Sequence, residues 1–235
     1  MLSVFLPFLY YNILISFSSV VVRLIYFNLF LRAMKKIVIL DYGLGNLRSV
    51  QKGLEYVGAS PTISGDPEEI LAADGIILPG VGAFMDAMKC LAPIKGVINE
   101  YIHSEKPMLG ICLGQQVMMS SSEEGRLTDG LDLISGKVIR FPKSELKVPH
   151  IGWNNIGIKQ DHPLFEGIPE NSFVYFVHSY YVDIAPENTL ASCNYGLEFS
   201  ASVVNSKGNV MGTQFHPEKS GATGLKILRN FVGMC

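Results

Sequence analysis

From Lys35 onward, short β-rich runs alternate with segments of helical periodicity, the signature of a mainly parallel central sheet carrying helices on its faces. Ile37–Leu40 reads as a first strand. Asn46–Val57 places Leu47, Val50, Leu54 and Val57 at three- and four-residue intervals, the spacing of an amphipathic helix, and Gly58 ends it. Pro61–Ser64 gives a second strand, Asp66-Pro67 caps a helix through Leu71, and Gly75–Leu78 is a third strand ending in the turn Pro79-Gly80-Val81-Gly82. A long helix is expected from Ala83 to His103, then a strand at Pro107–Ile111 and a helix from Leu113 to Ser121. After Gly130 the texture changes to short strands and turns, at Gly136–Phe141, Trp153–Ile158, Phe173–Val182, Thr189–Ser192, Ser200–Val204 and Val210–Gln214, before a closing helix at Gly224–Val232. The fold class is therefore α/β, with additional antiparallel strands, in one domain over residues 34–235.

The first 33 residues differ from this pattern. MLSVFLPFLYYNILISFSSVVV is apolar and aromatic, and only Arg23 and Arg32 carry charge in the whole leader. The stretch is a membrane-span candidate by length, lacks the basic start and small-residue cleavage site of a secretory signal, and is also explained if translation begins at Met34. We expect a misassigned start or a dispensable extension, and hence a cytoplasmic protein with no membrane association unless the leader is real. The formal charge of -2, from 19 basic and 21 acidic residues well mixed along the chain, gives no footprint for a nucleic-acid backbone. The 4 cysteines are widely spaced without a CxxC pair, so neither a disulfide framework nor a metal site is indicated.

The sharpest local feature is Gly110-Ile111-Cys112-Leu113-Gly114, set where a buried strand meets a helix. Flanking glycines permit the strained turn that projects one nucleophilic side chain at the carboxyl edge of a sheet. The helix N-terminus beneath Cys112 favours a thiolate and can hold an oxyanion through free N–H groups, that of Leu113 among them. A buried structural cysteine is the plain alternative. A thiol nucleophile needs a base, and Gln214-Phe215-His216-Pro217-Glu218 follows a strand of the same frame with an imidazole and a carboxylate two residues apart. Cys112, His216 and Glu218 thus form a candidate triad, with His103, His150, His162 and His178 as rivals for the base. The Gly80-Val81-Gly82 turn can aim a second N–H at an oxyanion. It is not a phosphate loop, and Asp41-Tyr42-Gly43-Leu44-Gly45-Asn46 lacks the third glycine of a dinucleotide fingerprint.

With these motifs and Gln115-Gln116, Pro149-His150-Ile151-Gly152-Trp153-Asn154, Phe176-Val177-His178-Ser179-Tyr180 and Lys219-Ser220, the chain resembles the class I glutamine amidotransferases over about Lys35 to Val232. Within them it is most similar to the glutaminase subunit of imidazole glycerol phosphate synthase. The elbow and His-Pro-Glu belong to the wider superfamily; the PGVG turn and PHIGWN segment mark the histidine-biosynthesis branch. The resemblance implies Cys112 as nucleophile, His216 as base and Glu218 as its orienting partner. It implies that Gly80, Val81, Gly82, Leu113 and Gln116 hold glutamine, and that Asn46, Trp153 and Lys219 face a separate (β/α)₈-barrel cyclase that receives the ammonia. No cofactor and no metal are implied. Gln115 departs from the family, which more often has Met there. Three alternatives stay open: a glutaminase serving a different synthase, a cysteine hydrolase or peptidase on a related α/β scaffold, and a non-catalytic binding or membrane-anchored subunit.

Overall fold

Alternate residues of strand β1 (Lys36–Leu40) enter two different cores. Ile37 and Ile39 pack in one with Val50 and Leu54 of helix α1 (Leu47–Tyr56), whereas Val38 and Leu40 pack in another. A strand buried on both faces is what a helix-covered parallel sheet requires. The computed structural model describes residues 35–143 and 145–235; the leader of residues 1–33 and its proposed boundary at Met34 lie outside them. Among the described residues, no helix is long and apolar enough to cross a membrane.

Beside β1 run β2 (Ser60–Ser64) and β3 (Gly75–Gly80), then β4 (Met108–Cys112) and β13 (Val210–Thr213), in the order β2-β1-β3-β4-β13 with every neighbouring pair parallel. Beyond β13 the sheet continues through β12 (Glu198–Val204), β10 (Tyr180–Ile184), β7 (Ile134–Arg140), β5 (Met119–Ser122) and β6 (Thr128–Asp129). Here the pairings are antiparallel except that of β5 with β7. The strand β11 (Thr189–Asn194) branches from β12 to β8 (His150–Ile158), which forms a ribbon with β9 (Ser172–His178). A parallel block with antiparallel additions is the architecture expected from the sequence. The helices α2 (Pro67–Leu71), α3 (Phe84–Leu91) and α4 (Lys95–His103) cover the Val38 face through Ile70, Phe84, Ala87, Leu91, Ile98 and Tyr101. On the other face lies the closing helix α6 (Gly221–Met234), which contributes Ile227, Leu228 and Phe231. As expected, the Asp66 side chain caps α2, accepting from the Glu68 and Glu69 amides.

Three expectations are corrected. The single helix from Ala83 to His103 is two helices separated by a 3₁₀ turn at Ala92–Ile94, because Pro93 cannot donate the next helical hydrogen bond and its ring crowds the preceding turn. The helix expected to reach Ser121 is only α5 (Leu113–Val117). Its terminal carbonyls are taken by a returning loop, Leu131 donating to Val117 O and Leu133 to Met118 O, while Met119–Ser122 pairs with β7. Phe173–Val182 is likewise two strands, β9 and β10, broken at Ser179.

The Gln115 side chain carries a test of this packing. It is fully buried against β13, where a Cβ on Gly212 would meet its Cγ at 2.7 Å. Among the described residues neither its Nε2 nor its Oε1 has a hydrogen-bond partner. An unpaired buried polar group costs about 1–3 kcal/mol, and methionine fills a similar unbranched volume. Gln115→Met should therefore raise the melting temperature by a few degrees. An unchanged or lower melting temperature would mean that the amide has found a partner in solution.

Candidate active site

The carboxyl ends of β3, β4 and β13 lie side by side, and the candidate residues are gathered there by register. Gly80 pairs with Cys112 across β3 and β4, and Thr213 with Ile111 across β13 and β4, so the segment leaving β13 begins beside the elbow. Cys112 itself sits at φ +56°, a left-handed backbone that most residues avoid and that functional turns sustain only under tight surrounding structure. The glycines supply that tightness. A Cβ on Gly114 would fall 1.7 Å from the Leu78 carbonyl oxygen, and one on Gly110 would meet the Gln115 nitrogen at 2.8 Å. A Cβ on Gly80 would collide with the Gly114 nitrogen at 2.8 Å and with the Tyr42 hydroxyl at 2.9 Å. Tyr42 donates that hydroxyl to Pro79 O at 2.7 Å, bracing the glycine-rich turn from below. As α5 is a single turn, its contribution at Cys112 is limited to the amides of that turn.

His216 and Glu218 meet as the two-residue spacing allows. Nδ1 of the imidazole lies 2.8 Å from Glu218 Oε1, both side chains almost completely buried. The carboxylate can only accept, so Nδ1 carries a proton, and Nε2 is the nitrogen that takes up or gives up a proton at the elbow. Among the described residues Nε2 makes no hydrogen bond of good geometry, yet Cys112 is near enough to act on the ring. Burial pulls the imidazole down, but the hydrogen bonds and charges of Cys112 and Glu218 outweigh it and push His216 up to about 9. The surrounding turn is stitched to the sheet: His216 N donates to Tyr175 O, Ser220 Oγ donates to His216 O, and Ser220 Oγ accepts from Tyr175 N.

The rival histidines have other employment. His103 faces the Asn99 carbonyl on the surface, and His162 accepts from the Leu164 amide. His150 and His178 are paired with each other, Nδ1 to Nε2 at 3.1 Å; burial pushes them down, to about 4 and about 3 respectively.

Cys112 and His216 open into one cavity of about 330 Å³, which Val81, Gly82, Leu113 and Gln116 also line. Gly80 lies behind this wall, in register with Cys112. Gln116 spends its Nε2 on Tyr180 O at 3.0 Å and Gln214 Oε1 at 2.9 Å, so its carbonyl oxygen is what it can offer a ligand. The cavity also holds a residue that the sequence motifs did not single out. Glu124 lines it and anchors the start of α3 by accepting from Phe84 N at 2.8 Å, and His178, Ser179 and Tyr180 of the quoted Phe176–Tyr180 motif line it as well. Among the described residues, Glu124 is the one carboxylate that lines the cavity. It belongs to no motif and lies in a loop, so only its acidity beside a serine run marks it. Among the described residues, no group of three His, Cys, Asp or Glu side chains could hold a metal ion.

The other three candidates stand outside this cavity. Asn46 lies at the head of α1 and lines a separate cleft with Asp41 and Arg48. Trp153 is 55% exposed on β8, and Lys219 is exposed on the turn after Glu218. Trp153 does not stand alone. Ile151 and Phe173, 60% and 59% exposed, share its face of the β8–β9 ribbon by register, since Trp153 pairs with Tyr175 and Ile151 with Val177. Three exposed large apolar side chains thus lie on one face of the ribbon.

The arrangement of thiol, imidazole and carboxylate beside a glycine-rich turn suits acyl transfer from an amide or ester. Comparison with known proteins narrows this. Residues 38–234 match the family model described as glutamine amidotransferase class-I. The chain is 88% identical over 202 residues to the imidazole glycerol phosphate synthase subunit HisH of Methanosarcina barkeri, covering 86% of this chain and 100% of that one. It is 49% identical over 214 residues to the subunit of the same name from Geobacter sulfurreducens, covering 86% of this chain and 100% of that one. Among solved structures it resembles PurLQS from Thermotoga maritima with a TM-score of 0.69 at 19% identity, covering 85% of this chain and 99% of that chain, a likeness of fold alone.

Proposed function

This chain belongs to the class I glutamine amidotransferases, and from that premise we infer that it is the glutaminase subunit of an imidazole glycerol phosphate synthase, with Cys112, His216 and Glu218 as its triad. The observation that carries the site assignment is the buried His216–Glu218 pair opening onto the same cavity as a thiol held at positive φ. Glutamine enters with its ammonium toward Glu124 and its side-chain amide under the Val81-Gly82 turn, Gln116 accepting from the ligand through its free oxygen. The Cys112 thiolate attacks the γ-carbonyl and the negative oxygen rests on backbone N–H groups of Leu113 and the glycine-rich turn. His216, whose Nε2 has taken the thiol proton, passes it to the leaving nitrogen, and ammonia departs. Water, deprotonated by His216, then cleaves the thioester to glutamate and restores the thiol.

The ammonia is consumed by a cyclase subunit, for which we propose a (β/α)₈ barrel. Support comes from the relatives' designation as a synthase subunit and from the exposed Ile151, Trp153 and Phe173 face, with the exposed Lys219 and with Asn46 as further contacts. Glutamate release should rise when a co-expressed barrel cyclase is present, and Trp153→Asp should weaken the complex about tenfold or more, as for a truncated aromatic anchor. Unchanged association of the Trp153 variant would remove Trp153 from the interface.

We place the active chain in the cytoplasm, where a catalytic thiol stays reduced, and place its functional start at Met34, because the first strand begins at Lys36. A chain starting at Met34 should be soluble, folded and as active with its partner as the full-length product. An apolar segment such as residues 1–33 left in water is an aggregation liability. Native protein that begins at Met1, sits in a membrane fraction and loses function on truncation to Met34 would overturn this expectation.

A further inference from the structure

The polar contacts behind the thiol form two runs that meet at the Tyr180 carbonyl, and within each run one hydrogen bond dictates the direction of the next. His178 Nδ1 lies 2.8 Å from Tyr180 O. A carbonyl only accepts, so Nδ1 is the protonated nitrogen and Nε2 presents a lone pair. The nitrogen facing that lone pair at 3.1 Å, His150 Nδ1, must then donate, and His150 Nε2 accepts from Asn154 Nδ2 at 3.4 Å. Tyr180 O accepts a second time, from Gln116 Nε2 at 3.0 Å, which decides which end of that amide is nitrogen. The remaining Gln116 proton goes to Gln214 Oε1 at 2.9 Å. The nitrogen end of Gln214 is thereby turned toward the elbow, 3.7 Å from Cys112 Sγ.

We propose that Gln214 is a catalytic residue that donates a hydrogen bond to the Cys112 sulfur, and that His150 and His178 are positioning residues that hold the Tyr180 carbonyl where it fixes the Gln116 and Gln214 amides in this orientation. The sulfur needs such a donor. Its other backbone neighbour is Val177 O at 3.9 Å, which suits a thiol and opposes a thiolate. A Gln214 amide flipped end for end would place a second carbonyl oxygen there. Both histidines are held neutral by burial, and His150 is gripped between Tyr195 and Phe176, ring centroids at 3.9 and 4.8 Å, so the tautomers have no room to exchange roles by ring rotation. The proposal rests on Cys112 being the nucleophile, and it adds the side chain that stabilises the attacking form.

The test is the rate at which iodoacetamide alkylates Cys112 in the full chain at neutral pH, with peptide mass spectrometry to separate it from the exposed Cys90. Gln214→Met keeps the volume and removes the donor, and should slow alkylation about tenfold or more, the lower end of the worth of a hydrogen bond to a charged group. Gln214→Glu, with an acceptor and a like charge at the sulfur, should slow it further. His150→Phe preserves the stacking and deletes the Nδ1 proton, for a loss of about threefold by the weaker, indirect route. His150→Asn restores a donor near the Nδ1 position and should return the parent rate. Should Gln214→Met fail to fold, the two His150 variants decide. Parent-like alkylation in a folded Gln214→Met or Gln214→Glu protein, or His150→Asn no faster than His150→Phe, overturns the proposal. The assay needs neither glutamine nor a partner. A chain that alkylates as expected but releases no glutamate would sink the functional reading and leave the sulfur's donor in place.

Discussion

Replacing Cys112 by alanine should abolish glutamine hydrolysis, by about 10⁴-fold or more in kcat/KM, as loss of the nucleophile does in other triads, while leaving the fold and the partner complex intact. The structural argument for an intact fold is local. Cysteine and alanine share the Cβ, so both bear the same strain at φ +56°, and removing one sulfur at the rim of a cavity leaves little new void. The glycines that shape the elbow are untouched. His216 loses one of the groups that raise it and should fall from about 9, with burial now less opposed. Glutamate release measured with the barrel partner present, beside a size-exclusion profile of the complex, checks both halves. Parent-like hydrolysis in the alanine variant would refute the nucleophile assignment.

Glu218→Gln should be nearly as damaging, by about 10²- to 10⁴-fold in kcat, the range for loss of a triad's orienting acid. The carboxylate accepts from Nδ1 at 2.8 Å in a fully buried setting. A glutamine amide can instead donate to Nδ1, which would hold the neutral ring's proton on Nε2 and leave it unable to take the thiol's proton. The same pair gives stability a pH dependence. Because His216 is raised from 6.5 to about 9 in the folded chain, its contribution is fully present below pH 6.5 and is lost as pH rises through about 9. The parent's melting temperature should therefore decline across that window. Glu218→Gln removes one of the raising causes, so its decline should be shallower. A change in kcat under about threefold would make Glu218 a bystander.

How much of this was legible beforehand depends on whether a feature is local. The elbow was legible because G-x-C-x-G states a steric requirement that the Gly110 and Gly114 environments display directly, and the His216–Glu218 contact because two residues of spacing suffice to close it. The parallel block was legible from strand and helix alternation. Not legible were features that long-range pairing creates. Met119–Ser122 continues a helical pattern locally, yet pairing with β7 and the capping of α5 by Leu131 and Leu133 draw it into the sheet. Pro93 was visible and should have divided the helix at Ala92–Ile94. Tyr180 enters the site through its backbone carbonyl, which no side-chain pattern announces, and Glu124 reaches the cavity from a loop whose course the sequence does not fix.

The central claim, that the Cys112 sulfur attacks the γ-carbonyl of glutamine, is tested most directly by trapping it. The chain in complex with its barrel partner would be treated with a chloroketone analogue of glutamine and digested, and the modified peptide identified by mass spectrometry. The account requires a single adduct, on Cys112, whose formation glutamine suppresses. An adduct on Cys90 or Cys193 at a comparable rate, or labelling of Cys112 that glutamine does not slow, would contradict it.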